Sequence, residues 1–132
     1  MHFLLLVDDN RPACDALARL LRRKGYAAAC VYGADEALTV LRDVTPDLVV
    51  LDWMMPGADG LEVLRRLRQD PATRGVPVMM YTAAGDAEVG REALRLGALD
   101  CVMKSGRIND LLERIECCVA AAARRGTAAR SN

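Results

Sequence analysis

Short apolar runs alternate along the chain with longer stretches in which apolar residues return at helical spacing. Phe3 to Val7 is continuously apolar, the pattern of a strand buried on both faces. Pro12 suits a first helical turn; Ala13, Ala16, Leu17, Leu20 and Leu21 then recur with a period near 3.6, and Gly25 closes the segment. The same reading predicts strands over Ala27–Val31, Asp47–Leu51, Val76–Tyr81 and Leu99–Met103. It predicts helices over Ala34–Arg42, from Leu61 through Leu67, over Asp86–Leu96, and from Ile108 to Ala122, where Ile108, Leu112, Ile115, Val119 and Ala122 form one stripe. Met54–Asp59 reads as a loop around Pro56 and Gly57, with Asp59 capping the third helix and Gly60 starting it. Five strand–helix repeats imply an α/β fold: a parallel sheet with right-handed crossovers and helices on both faces.

At 132 residues there is room for one domain, with enough buried surface to dispense with disulfide staples. We place it at 1–123, followed by a flexible tail over 124–132 that carries Arg124, Arg125 and Arg130 and frays beyond Gly126. Formal net charge is zero, which argues against direct nucleic-acid binding. The N-terminal apolar run meets two aspartates at once, and no apolar run approaches membrane-spanning length, so a cytoplasmic protein is expected. The five cysteines form no C-x-x-C pair and the one histidine, His2, is terminal, so zinc is not expected. Cysteines scattered through apolar segments read as reduced, buried small hydrophobes. Cys117 and Cys118 are adjacent on a helix, so one of them should lean off the core face.

Polar residues fall at equivalent places. Asp8 and Asp9 follow the first strand, Asp52 ends the third, Thr82 the fourth and Lys104 the fifth. In open α/β sheets, sites form at the carboxyl ends of strands, in the crevice where strand order reverses. One aspartate there would read as a cap or turn former; the conjunction points to a site. If the first and third strands are neighbours, three carboxylates converge. Two like charges about 4 Å apart repel by roughly 4 kcal/mol at an effective dielectric of 20. Lys104 offsets one charge, and a divalent cation would balance the rest; an all-oxygen ligand set favours Mg²⁺, with Mn²⁺ the alternative. A carboxylate nucleophile, a metal, a lysine and a hydroxyl together suit phosphoryl transfer onto Asp52. Met55 reads as packing and Trp53 as partial cover for the pocket.

The strings LLLVDDN, PDLVVLDWMMPGADGLEVLRRLR, VPVMMYTA and LGALDCVMKS, spanning about Phe3 to Cys118, resemble the receiver domain of two-component response regulators. The resemblance implies a five-stranded, doubly wound, flavodoxin-like sheet of order 2-1-3-4-5 with five helices. It implies that Asp52 accepts a phosphoryl group from a histidine kinase or a histidine phosphotransfer protein. Asp9 and Asp52 would bind Mg²⁺ directly with the backbone carbonyl of Met54, and Asp8 would act through a metal-bound water. Thr82 and Lys104 would hold the phosphoryl group. Output would pass through the face made by the fourth helix, fifth strand and fifth helix, to a downstream protein, an onward phosphorelay or a homodimer. Such a domain is a switch and not an enzyme, apart from Mg²⁺-dependent self-phosphorylation and self-dephosphorylation.

Two positions depart from the family pattern. Cys101 stands where a strand-five aromatic normally turns inward on switching. Ser105 follows Lys104 where proline is usual; a cis bond before serine costs about 3 kcal/mol, so a trans bond is expected. These departures motivate a second reading, an interaction module that works without phosphorylation. A third makes the chain the receiver part of a larger regulator.

Overall fold

The computed structural model describes residues 1–55, 57–83 and 87–131. Five parallel strands form the main sheet: β1 (Phe3–Val7), β2 (Ala27–Val31), β3 (Leu48–Leu51), β4 (Val78–Thr82) and β5 (Asp100–Met103). Their order is β2-β1-β3-β4-β5, as the resemblance implies. Helices α1 (Arg11–Arg23), α2 (Ala34–Asp43), α3 (Gly60–Gln69), α4 (Ala87–Arg95) and α5 (Ile108–Ser131) connect and flank the strands. Order reverses between β1 and β3, which are paired directly from Leu4↔Leu48 to Val7↔Leu51.

The alternation of side chains along each strand divides the core in two. Leu5, Val7, Val49, Leu51 and Met80 face α2, α3 and α4, where Leu41, Leu64, Leu67 and Ala93 complete the layer. Leu4, Leu6, Val50 and Met79 face α1 and α5, meeting Leu21, Leu111 and Ile115. The strand runs read as continuously apolar because both faces are covered.

Local chemistry sets the helix ends. The Asn10 side chain accepts from Ala13 N at 3.2 Å with Pro12 in the first turn of α1, and Gly25 adopts φ +97° after it. Asp59 accepts from Glu62 N at 2.8 Å and caps α3 as expected. Several boundaries differ from the sequence reading: β3 begins at Leu48, α2 ends at Asp43 and α4 ends at Arg95. β4 begins at Val78, because Val76 N closes a turn onto Thr73 O and Pro77 has no N–H to give the ladder. β5 begins at Asp100. The expected loop at Met54–Asp59 contains a two-residue antiparallel ladder, Met54–Met55 against Ala58–Asp59, flanking Gly57 at φ +81°. Asp86 and Pro56 lie outside the described residues. α5 is helical through Ser131. All described peptide bonds are trans, Lys104–Ser105 included.

All five cysteines are free thiols; Cys14 and Cys118 are buried, Cys30 and Cys101 half-buried, and Cys117 exposed, so the expectation of uniformly buried cysteines holds for two. Arg68 on α3 clamps the lower end of the sheet. Its guanidinium donates to Leu96 O (2.7 Å), Val76 O (2.7 Å), Arg74 O (3.0 Å) and Gly97 O (3.4 Å). Arg68→Met keeps the stem but strands these carbonyls. A loss of about 2 kcal/mol in urea unfolding is expected, and an unchanged midpoint would show that water replaces the guanidinium without cost.

Candidate phosphorylation and metal site

The backbone delivers the polar side chains to one edge. Asp8 N donates to Val31 O, Asp52 N to Val7 O and Lys104 N to Thr82 O, so each side chain leaves the sheet immediately after a ladder bond. Asp8, Asp52 and Thr82 are buried, at 8%, 7% and 2% exposure, whereas Asp9 is exposed. One carboxylate oxygen from each of Asp8, Asp9 and Asp52 falls within 4.8 Å of the others. Thus the predicted triad is brought together, with two aspartates inside and one at the mouth.

Lys104 Nζ lies 2.5 Å from Asp8 Oδ2 and 3.7 Å from Asp52 Oδ2. Its closer partner is Asp8, so the acceptor candidate keeps the weaker share of the lysine's charge. Asp8 also accepts from Asn10 N at 2.9 Å through its other oxygen, which ties it to the start of α1. Burial pushes the Asp52 carboxyl up to about 6; Lys104 opposes this, the Asp8 charge adds to it, and the Met54 N–H that Asp52 accepts lowers it again. Burial alone would lower the Lys104 pKa, but its hydrogen bond to Asp8 and the charge of Asp52 raise it overall, so the ammonium stays charged.

A hard divalent cation fits this donor set. Three carboxylates converge around one lysine, and among the described residues no histidine or thiolate takes part. Asp9, Asp52 and the Met54 carbonyl would hold it, with Asp8 behind a water.

Sequence reasoning missed two contributors. Gly60 is more than a helix start: a Cβ there would lie 2.2 Å from the Asp52 carbonyl oxygen and 2.9 Å from Trp53 Cα. The glycine in the D-G step after the short ladder was visible, but nothing local revealed that Asp52 backs onto it. Tyr81 places its ring 5.6 Å from Lys104 Nζ, and its only sequence signal was a place next to Thr82 on the opposite face of β4. Trp53 packs against the core on the α2–α4 side, and its indole N–H is buried without a partner among the described residues. Met55 is buried, as its packing role requires, while Met54 is 61% exposed. Cys101 is half-buried against the same core, and a Cβ at Gly90 of α4 would meet its Sγ at 3.8 Å. Of the adjacent pair on α5, Cys118 faces the core and Cys117 does not.

The response regulator receiver domain family model matches residues 4–116. Among curated proteins, the phosphate regulon transcriptional regulatory protein PhoB of Pseudomonas aeruginosa is 35% identical over 86% of this chain and 49% of its own length. The DNA-binding response regulator MtrA of Mycolicibacterium smegmatis is 39% identical over 85% of this chain and 48% of its own. The chain therefore spans about half the length of these relatives. A putative response regulator from Chloroflexus aurantiacus superposes with a TM-score of 0.82 at 33% identity, covering 90% of this chain and 98% of that one. With its fold, its sheet order and its cluster of aspartates in agreement, the chain belongs to the response regulator receiver domain family of two-component signalling.

Proposed function

We propose that this receiver domain is a phosphorylation-dependent switch that takes a phosphoryl group onto Asp52 from a histidine kinase or histidine phosphotransfer protein. The observation that carries this reading is the buried Asp52 carboxylate, flanked by Asp8, Asp9 and Lys104 at the crevice where strand order reverses. With its pKa near 6, Asp52 is mostly ionised at neutral pH and can act as nucleophile. A carboxylate oxygen attacks phosphorus and the bond from phosphorus to the donor's histidine nitrogen breaks. The electron pair leaves with the imidazole. Mg²⁺, when bound, would neutralise the equatorial oxygens. Lys104 supplies the fixed positive charge beside the acceptor, and the Thr82 hydroxyl is the hydrogen-bond donor for the new phosphoryl oxygens. Attack of water on the same phosphorus would return the domain to its resting state; this self-dephosphorylation, and self-phosphorylation from a small phosphodonor, are the self-directed catalysis we assign.

Output is assigned to the face of α4, β5 and α5, where Leu94, Met103 and Ile108 are exposed. It would act on a protein partner, a relay or a second copy. The curated relatives are named as DNA-binding and transcriptional regulators, so a receiver of a larger regulator is included in this proposal. No helix among the described residues is long and apolar enough to cross a membrane, and we assign the domain to the cytoplasm. The division into a receiver over 1–123 and a tail over 124–132 is likewise our proposal; Arg124 and Arg125 still belong to α5, and fraying is assigned beyond Gly126, since glycine is about 1 kcal/mol less favourable in a helix than alanine.

Trp53 gives the test a built-in reporter. Addition of Mg²⁺ and then acetyl phosphate should change its fluorescence and add one phosphoryl mass to the intact protein, neither occurring without the metal. Failure of both, with Mg²⁺ binding confirmed by calorimetry, would favour the phosphorylation-independent module. That second reading has one observation of its own: Cys101 is packed beside Gly90, where no ring exists to swing between exposed and buried positions.

A further inference from the structure

The end of the sheet opposite the aspartates carries a second concavity of about 830 Å³, within the roughly 300–1,000 Å³ range of small-ligand sites. It lies where the strands begin, between the chain entering β3, the loop after α3, and α5. Arg68, Arg74 and Arg125 line it, together with Thr45, and the one acid in its wall is Asp47. The Asp47 carboxylate is already engaged: it accepts from Phe3 N at 2.7 Å and lies 3.7 Å from His2 Nδ1.

The three guanidiniums differ in what they can offer. Arg68 is half-buried and gives its donors to four backbone carbonyls, so it contributes charge more than hydrogen bonds. Burial, and then the charge of the neighbouring Arg125, hold its pKa below the usual arginine value. Arg74 and Arg125 are exposed, and neither guanidinium is hydrogen-bonded or ion-paired to a described residue. Two unpaired planar forks at the rim of a cavity, with a fixed positive charge behind them and a threonine hydroxyl in the wall, match the oxygens of a phosphate group. A chain whose formal charge is zero overall thus places three arginines against one occupied carboxylate in a single pocket.

We propose that this pocket binds a small phosphate-bearing anion, gripped by Arg74 and Arg125 over the fixed charge of Arg68, at a site separate from Asp52. The test is an amide NMR titration of the wild-type protein in metal-free buffer, with ionic strength held constant by chloride. Inorganic pyrophosphate and ADP are the two probes. Saturable shifts are expected at Thr45, Asp47, Arg74 and Gly75, with binding at least tenfold weaker in Arg74→Gln/Arg125→Gln. Both replaced side chains are exposed, and a thermal melt matching the wild type confirms that the variant is folded. Tighter binding of ADP than of pyrophosphate would assign a nucleotide, and equal binding would assign phosphate alone. Shifts that never saturate, that map only to Asp8 and Lys104, or that survive the double substitution would overturn the proposal.

Discussion

Asp52→Asn is expected to end phosphoryl uptake outright and, in metal-free solution near pH 7.5, to make the domain more stable than the wild type. The first effect follows from chemistry: an amide has no anionic oxygen to attack phosphorus, so the intact mass stays unchanged under conditions that modify the wild type. The second follows from burial. The Asp52 carboxyl sits at about 6 in the folded protein and near its ordinary 3.8 in the unfolded chain. Between those values the folded state binds more protons than the unfolded state, so stability falls as pH rises. The contribution is complete below about pH 4, where both states are protonated, and is lost as pH passes through 6. The two-unit difference corresponds to at most about 3 kcal/mol, and partial solvation of the pocket mouth brings a realistic figure to roughly 1–2 kcal/mol. Asparagine cannot ionise. The wild-type-minus-variant difference in urea unfolding energy should therefore become more negative from pH 4.5 to 7.5, with the removed charge also felt by Asp8 and Lys104. Mg²⁺ should then restore the wild type and leave the variant nearly unmoved. A difference that stayed flat across this range would mean that Asp52 is not desolvated as its position indicates.

Gly60→Ala is expected to cost about 3 kcal/mol and to lower the melting temperature by roughly 10 °C. The added methyl would meet the Asp52 carbonyl oxygen at 2.2 Å and Trp53 Cα at 2.9 Å, and both are backbone atoms that no rotamer change can move aside. Gly60 N also donates to Trp53 O, so the segment that carries Asp52 and the first turn of α3 are locked together. Relief of the clash must displace one of them. Mg²⁺ affinity should fall together with stability, because the displaced backbone carries Asp52 and Met54. Gly75→Ala is the matched control, with nothing within 4 Å of its added carbon, and it should change stability by less than about 1 kcal/mol. If the two variants melted alike, the proposed lock between α3 and the Asp52 segment would be wrong.

These effects depend on contacts of different range, and so did their legibility. The strands were readable because a parallel strand covered on both faces must be apolar at every position, as in Phe3–Val7 and Leu48–Leu51. The site residues were readable for the complementary reason. An apolar run stops where the chain leaves the sheet, and a polar residue at that point stands at the carboxyl edge, so Asp8, Asp52, Thr82 and Lys104 announced a common location. Cap chemistry was equally local, and Asp59 caps α3 through its own side chain three residues ahead.

What the sequence by itself determined, then, was the identity of the elements and the residues at their ends, because burial pattern and capping act within a few positions of the chain. The tertiary structure alone decided which ends meet and how closely. The pairing of β1 with β3 puts Asp52 beside Asp8, and the Lys104 ammonium lies closer to Asp8 at 2.5 Å than to Asp52 at 3.7 Å. The close approach of Gly60 to the Asp52 carbonyl, the Arg68 clamp reaching Leu96 and Gly97, and the placing of Arg74 and Arg125 in the wall of one cavity join positions up to 51 residues apart. Such distances follow from the packing of whole elements against one another. No local pattern of side chains encodes them, because a shift of about an ångström between helix and sheet would change each contact while leaving every periodicity in the chain unaltered.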